Sequence, residues 1–204
     1  MACKLARKEN SMLRRIVCIS VLVVLTSFVS LAAVAQEVVH ALAGTVSSID
    51  AAAKTITVKT DDGSESLFND LIDSKTPIEF DPNIRRDATA ASEFKSSGVR
   101  VIVYYFGYGS IRTAVALRSL GTGPFTLASG TVVNFSNGGR TLSIKDNSGV
   151  IKTFNISSDL VVETTTGAGV KTKFQPATGD PVRVTATMVN GSATALFINT
   201  LVAN

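Results

Sequence analysis

Cysteine is confined to the first 18 residues of this 204-residue chain, at Cys3 and Cys18, and histidine occurs once, at His40. Without later cysteines the body of the chain has no disulfide to staple it. With one histidine it also lacks the ligands of a structural zinc site. No G-x-S-x-G elbow, phosphate loop or dinucleotide fingerprint occurs. A charge excess is missing as well. Five of the 20 Lys and Arg precede residue 36, but only one of the 16 Asp and Glu does, so residues 36–204 are formally neutral. No positive field is left to attract a polyanion, and nucleic acid is not an expected partner.

What the N-terminus does contain is an export pattern. Lys4, Arg7, Lys8, Arg14 and Arg15 precede the apolar run "IVCISVLVVLTSFVSLAAVA", and Ala33-Val34-Ala35 places small residues where a signal peptidase reads. This order predicts a signal peptide over residues 1–35, cleaved before Gln36, with an uncleaved anchor as the alternative. The chain after it is expected to be exported (periplasmic, cell-envelope or extracellular) and to have no membrane span of its own. Without cysteine it must be held together by its core.

That core is written twice. "GTVSSIDAAAKTITVKTDDG" begins at Gly44, and "GTVVNFSNGGRTLSIKDNSG" repeats it without gaps from Gly130. Gly44, Thr45, Val46, Thr55, Lys59, Gly63 and Phe68 recur as Gly130, Thr131, Val132, Thr141, Lys145, Gly149 and Phe154. Val99-Arg100-Val101 then matches Val182-Arg183-Val184, and Thr113-Ala114 matches Thr194-Ala195. A period this long means tandem domains rather than a solenoid. Boundaries are placed at 36–122 and 123–204, with Gly121-Thr122-Gly123-Pro124 as the joint.

Each copy reads as β. "TITVKT" alternates β-branched and polar residues, and "DDG" and "NSG" are tight-turn sequences whose glycine accepts a positive φ. Strands are expected near 41–50, 55–60, 64–71, 99–107 and 111–120, with equivalents in copy two. A short helix is expected within "RRDATAASEFKSSG", N-capped by Asp87. Three strands, a crossover and two more strands predict an all-β protein of two tandem five-stranded OB-like barrels, the first with a helix in its crossover. The anchors Gly130, Thr131, Val132, Thr141, Leu142, Ile144 and Gly149, followed by Gly179-Asp180-Pro181-Val182-Arg183-Val184, resemble a family of exported bacterial OB-like domains of unknown function. Copy one departs from it at Ser97-Gly98-Val99. The resemblance implies a fold and defines no catalytic residues.

Chemistry is sparse. His40 reads as a solvated residue near the mature N-terminus. Asp61-Asp62-Gly63-Ser64-Glu65 lacks the ligand spacing of a calcium loop, and copy two has Asn147-Ser148 at the same turn, so plain turn chemistry is expected. Ser92-Glu93-Phe94-Lys95 matches S-x-x-K without its partner motifs. No catalytic residue, metal site or cofactor is expected.

The largest difference between the copies is "VRVIVYYFGYGSIR". Strand alternation puts Val99, Val101, Val103 and Tyr105 inward, and Arg100, Ile102, Tyr104, Phe106 and Tyr108 outward; copy two has Val182, Val184, Ala186 and Met188 inward. An outward aromatic stripe needs a cover: copy two or the crossover residues Ile78, Phe80 and Ile84, a partner protein, or a ligand. If a ligand, Tyr104, Phe106 and Tyr108 with Arg100 and Arg112 would form a sugar-stacking platform. The expected function is a non-catalytic binding or structural module taking an envelope protein or glycan. A carbohydrate-binding module using that stripe is the alternative, and a carboxylate-dependent hydrolase a lower one.

Overall fold

The computed structural model describes residues 38–69, 71–72, 81–136, 138, 140–170 and 174–201. The expected signal segment, Ile78 and Phe80 lie outside the described residues. The described residues form twelve strands in two six-stranded sheets.

The first sheet uses β1 (His40–Asp50), β2 (Thr55–Thr60), β3 (Glu65–Phe68), β4 (Ala88–Ala90), β5 (Arg100–Tyr108) and β6 (Ile111–Gly121), in the order β3-β2-β1-β5-β6-β4. The second uses β7 (Phe125–Ser136), β8 (Thr141–Lys145), β9 (Ile151–Thr164), β10 (Gly167–Val170), β11 (Pro181–Val189) and β12 (Ser192–Thr200). Its order is β10-β9-β12-β11-β7-β8, and β8 also pairs with β9. The ring β7-β8-β9-β12-β11 is therefore a closed five-stranded barrel, with β9 and β12 its one parallel pair. That is the OB-like arrangement, with closure removing the exposed edges.

The first sheet curls in the same order but meets differently. Its closing contact is a parallel bridge between Asn69 and Thr113, the counterparts of the Asn155–Thr194 pair in barrel two. Further along β6, the short β4 pairs antiparallel at Ala88–Ala90 where barrel two has the long β9. Apolar residues from alternating positions fill each interior. Val46, Ile56, Val58, Phe68, Val101, Val103 and Leu117 pack in the first; Val132, Leu142, Ile144, Phe154, Val182, Val184 and Ile198 pack in the second.

The repeated residues have visible work. A Cβ on Gly44 or Gly130 would overlap the carbonyl of Lys59 or Lys145, so glycine lets the first strand press against the second. Each copy also bulges next to it, at Val46/Ser48 and at Val132/Asn134.

Three sequence expectations are corrected. The crossover holds α1 (Pro82–Arg85), capped by Asp81, whose side chain accepts from the Asn83 amide, and within the expected stretch only a 3-10 turn at Ala91–Glu93 without a side-chain cap. Asp87 is not its N-cap; it sits at φ 61 between α1 and β4. Proline at the first helical turn explains the shift, since its fixed φ starts a helix. In copy two the crossover extends β9 and folds back as β10. Met188, placed inward by alternation, is exposed near the β11–β12 turn, after a register shift between Thr185 and Ala186.

Candidate functional site

The outward face of β5 is covered from within the molecule. Ile102 and Tyr104 are fully buried in a third apolar cluster with Val39 just before β1, Ala41 of β1, Val115 and Ala116 of β6, and Ile84 of α1. Barrel two contributes Val161, Ala168 and Phe197 to the same cluster. The aromatic stripe is the seam between the barrels.

Polar groups lock the margin of this seam. Arg100 forms an ion pair with Asp61, both side chains being more than nine-tenths buried. Thr185 Oγ1 donates to the other oxygen of Asp61 at 3.0 Å, and the Arg100 guanidinium lies 5.5 Å from the Phe125 ring centroid. One residue along, Arg183 of β11 approaches Asp62 at 3.6 Å. Thus the two arginines of the repeated Val-Arg-Val motif are both met by the paired aspartates of the first copy's hairpin. The second copy's hairpin has Asn147 and Ser148 at the corresponding places and meets neither.

The hairpin itself is built by local rules. The Gly63 amide donates to the Thr60 carbonyl and the Thr60 amide to the Ser64 carbonyl, with Gly63 at φ 84. Asp62 Oδ1 accepts from the Ser64 amide at 2.9 Å, the Ser64 hydroxyl at 2.7 Å and the Thr60 hydroxyl. These bonds hold its carboxyl well below the usual carboxylate range. In copy two Asp146 caps the same turn, and the Ser148 hydroxyl bond with Lys152 nearby lowers it to about 2.

The reading of His40 as a solvated tail residue is overturned. Its Nδ1 lies 2.6 Å from Glu163 Oε1 of β9, and the Ala41 amide donates to Glu163 Oε2 at 2.7 Å. Burial pushes the Glu163 carboxyl up, opposed by its bonds to His40 and Ala41. Beyond this pair the Ala168 amide donates to the Val39 carbonyl, and Gly167 lies so close to Val38 and Val39 that no side chain fits. The start of β1 is tied to barrel two.

The five expected platform residues are accordingly not brought together. Arg100 and Tyr104 are buried in the seam, and Phe106 is half-buried against the same cluster. Arg112 lies over the Phe68 and Tyr105 rings and donates to the Gly109 carbonyl and Ser66 hydroxyl. Tyr108 is 80% exposed, beside His40. An exposed Tyr-Phe stripe does not exist, because barrel two occupies its place. The S-x-x-K pair is structural: the Lys95 ammonium donates to the Ser92 carbonyl. Among the described residues no group of three or more His, Cys, Asp or Glu is placed to hold a metal ion.

A cleft of about 340 Å³ opens where the barrels meet. Its polar lining is Asp61, Asp62, Ser64, Ser66, Arg183 and Asn199, and Leu42, Phe197 and Leu201 contribute apolar surface. A second cavity, of about 310 Å³, lies at the Lys54 and Lys95 end of barrel one, beside Ile49, Leu71 and Phe94. The first combines fixed charges of both signs with residues from both barrels, and boundaries between domains are where ligands commonly bind. Sequence reasoning missed it. Its trace was the contrast of Asp61-Asp62 with Asn147-Ser148, set against an arginine present in both copies.

No protein-family model matches the chain, and no curated protein matches it. Among solved structures it is similar to the crystal structure of Ag(I)CusF, with 13% identity, 39% of this chain and 100% of that one covered, and a TM-score of 0.31. It is also similar to Drosophila Unr CSD456, with 16% identity, 80% of this chain and 62% of that one covered, and a TM-score of 0.31. The OB-like description rests on the strand order and the parallel closing pair.

Proposed function

We propose that the chain is an exported, non-catalytic binding module of the cell envelope or secreted space, with the cleft at the barrel seam as its ligand seat. Fold alone names no ligand, so the reading rests on the site. The observation that carries it is the cleft itself, where Asp62 and Arg183 face each other at 3.6 Å above apolar side chains. The N-terminal order of basic residues, apolar run and Ala33-Val34-Ala35 supports export. A glycan stacked on the Tyr-Phe stripe is less well supported, since Tyr104 and Phe106 have their faces in the seam and Tyr108 alone is largely exposed.

Two measurements test this. Fractionation with N-terminal peptide mapping should find the chain outside the cytoplasm, beginning at Gln36; a cytoplasmic chain with an intact N-terminus refutes export. Native mass spectrometry after exposure to an envelope small-molecule extract should show a bound species that is lost in Asn199→Trp, a variant designed to fill the cleft. Equal retention by both proteins, with matched melting temperatures, removes the cleft as the seat.

A further inference from the structure

Resting on the cleft as ligand seat, the geometry points to a ligand class: we infer that the cleft takes a small zwitterion with an apolar side chain, of the α-amino-acid or dipeptide-terminus type. Three observations carry it. First, Asp62 is a fixed anion. Its Oδ1 is saturated by Thr60 and Ser64, leaving Oδ2 as the oxygen that approaches Arg183. Second, Arg183 is a cation only weakly engaged by its neighbour. Its contact with Asp62 at 3.6 Å is too long for a hydrogen bond, and both side chains reach solvent, at 29% and 49% exposure. An ion pair this exposed contributes little, so a ligand can part it at small cost. Third, Leu42 and Leu201, beside the mostly buried Phe197, line the same cleft and give an apolar side chain a surface to rest on.

The recognition follows from that arrangement. A ligand carboxylate takes the planar donors of Arg183, for which a guanidinium is suited in shape as well as charge. The ligand ammonium takes Asp62 Oδ2, and the Asn199 side chain, also in the lining, supplies a further polar contact. Asp61 is not available for this, being paired with Arg100 and Thr185. A cleft of about 340 Å³ is at the small end of ligand sites and suits one or two residues rather than an extended chain.

The experiment uses the full chain, expressed with its own N-terminus, and three probes that share one side chain: L-phenylalanine, phenethylamine and 3-phenylpropionate. Calorimetric titration should show L-phenylalanine binding at least about tenfold more tightly than either singly charged analogue. Arg183→Gln should erase its advantage over the amine, and Asp62→Asn its advantage over the carboxylate. The amide introduced by Asp62→Asn keeps an oxygen for the hairpin, so the variant should stay folded with a modestly lower melting temperature, the charge-assisted bonds from Thr60 and Ser64 being weakened. Equal binding of the three probes, or loss of advantage in neither variant, overturns the inference. If no probe binds while other small molecules shift the amide signals of Leu42, Phe197 and Asn199 saturably, the zwitterion class fails and the binding reading stands. If nothing perturbs those signals, both fail.

Discussion

At the residue scale, Tyr104 links sequence, packing and pH. Burial in the seam raises its phenol from 10.0 to about 12, with the nearby Arg118 acting in the opposite direction. Up to the lower value, folded and unfolded chains both keep the proton, and the shift costs nothing. Between the two values the unfolded chain loses its proton while the folded chain holds it, so stability falls as pH rises through that window. The urea midpoint should therefore drop from about pH 9 to about pH 11.5, and Tyr104→Phe should lessen the drop. An identical drop in the variant would mean that another group carries the alkaline sensitivity. Tyr105, also raised by burial, acts in the same direction.

At the element scale, most of the framework was legible because strand alternation and turn chemistry are local. The paired repeats located β1, β2, β5 and β6 to within a residue or two, and Gly63 and Gly149 close their hairpins as those turn sequences require. The crossovers were less legible. Asp87 followed by a run of small residues reads as a helix start, yet Pro82 had already begun one, and Ala88–Ala90 is drawn into pairing by β6. The site was hardest to read. Neither the Asp61–Arg100 pair nor the His40–Glu163 pair is a short-range pattern: the first depends on where the hairpin of barrel one lies against β5, the second on which faces of the barrels meet. The repeated glycine offers a direct test. Gly130→Ala should cost about 1–3 kcal/mol through forced displacement of β8, read by urea denaturation. Gly138→Ala, where an added methyl meets nothing within 4 Å, should change stability by less than about 0.5 kcal/mol. Equal costs at the two positions would contradict the close approach.

At the scale of the whole molecule, the described residues form one compact unit although they fold as two barrels. The seam is a core of its own, bordered by the buried Arg100–Asp61 pair of barrel one, to which Thr185 of barrel two is hydrogen-bonded, and tied at the start of β1 by His40 and Glu163. The barrels should therefore unfold together, in a single calorimetric transition. Asp61→Asn leaves the Arg100 charge buried without its counter-ion, which should cost about 3–5 kcal/mol and separate the melting of the two barrels. One unchanged transition would show that the apolar seam alone couples them. Among the described residues no helix is long and apolar enough to cross a membrane.

The aspartate-bearing hairpin has one more consequence. A contact made by one face of a repeated unit on a different face of the next is open-ended in principle, and identical copies would add to each other without limit. Here the charged contact between the copies is that of Asp62 with Arg183, while Asp61 is taken up by Arg100 of its own copy. The second copy has Asn147 and Ser148 at those two positions, and the carboxylate it keeps at that turn, Asp146, is already taken up by Ser148, Val150 and Lys152. The second hairpin therefore lacks the paired aspartates with which the first meets Arg100 and Arg183, and the contact between the copies runs in one direction only.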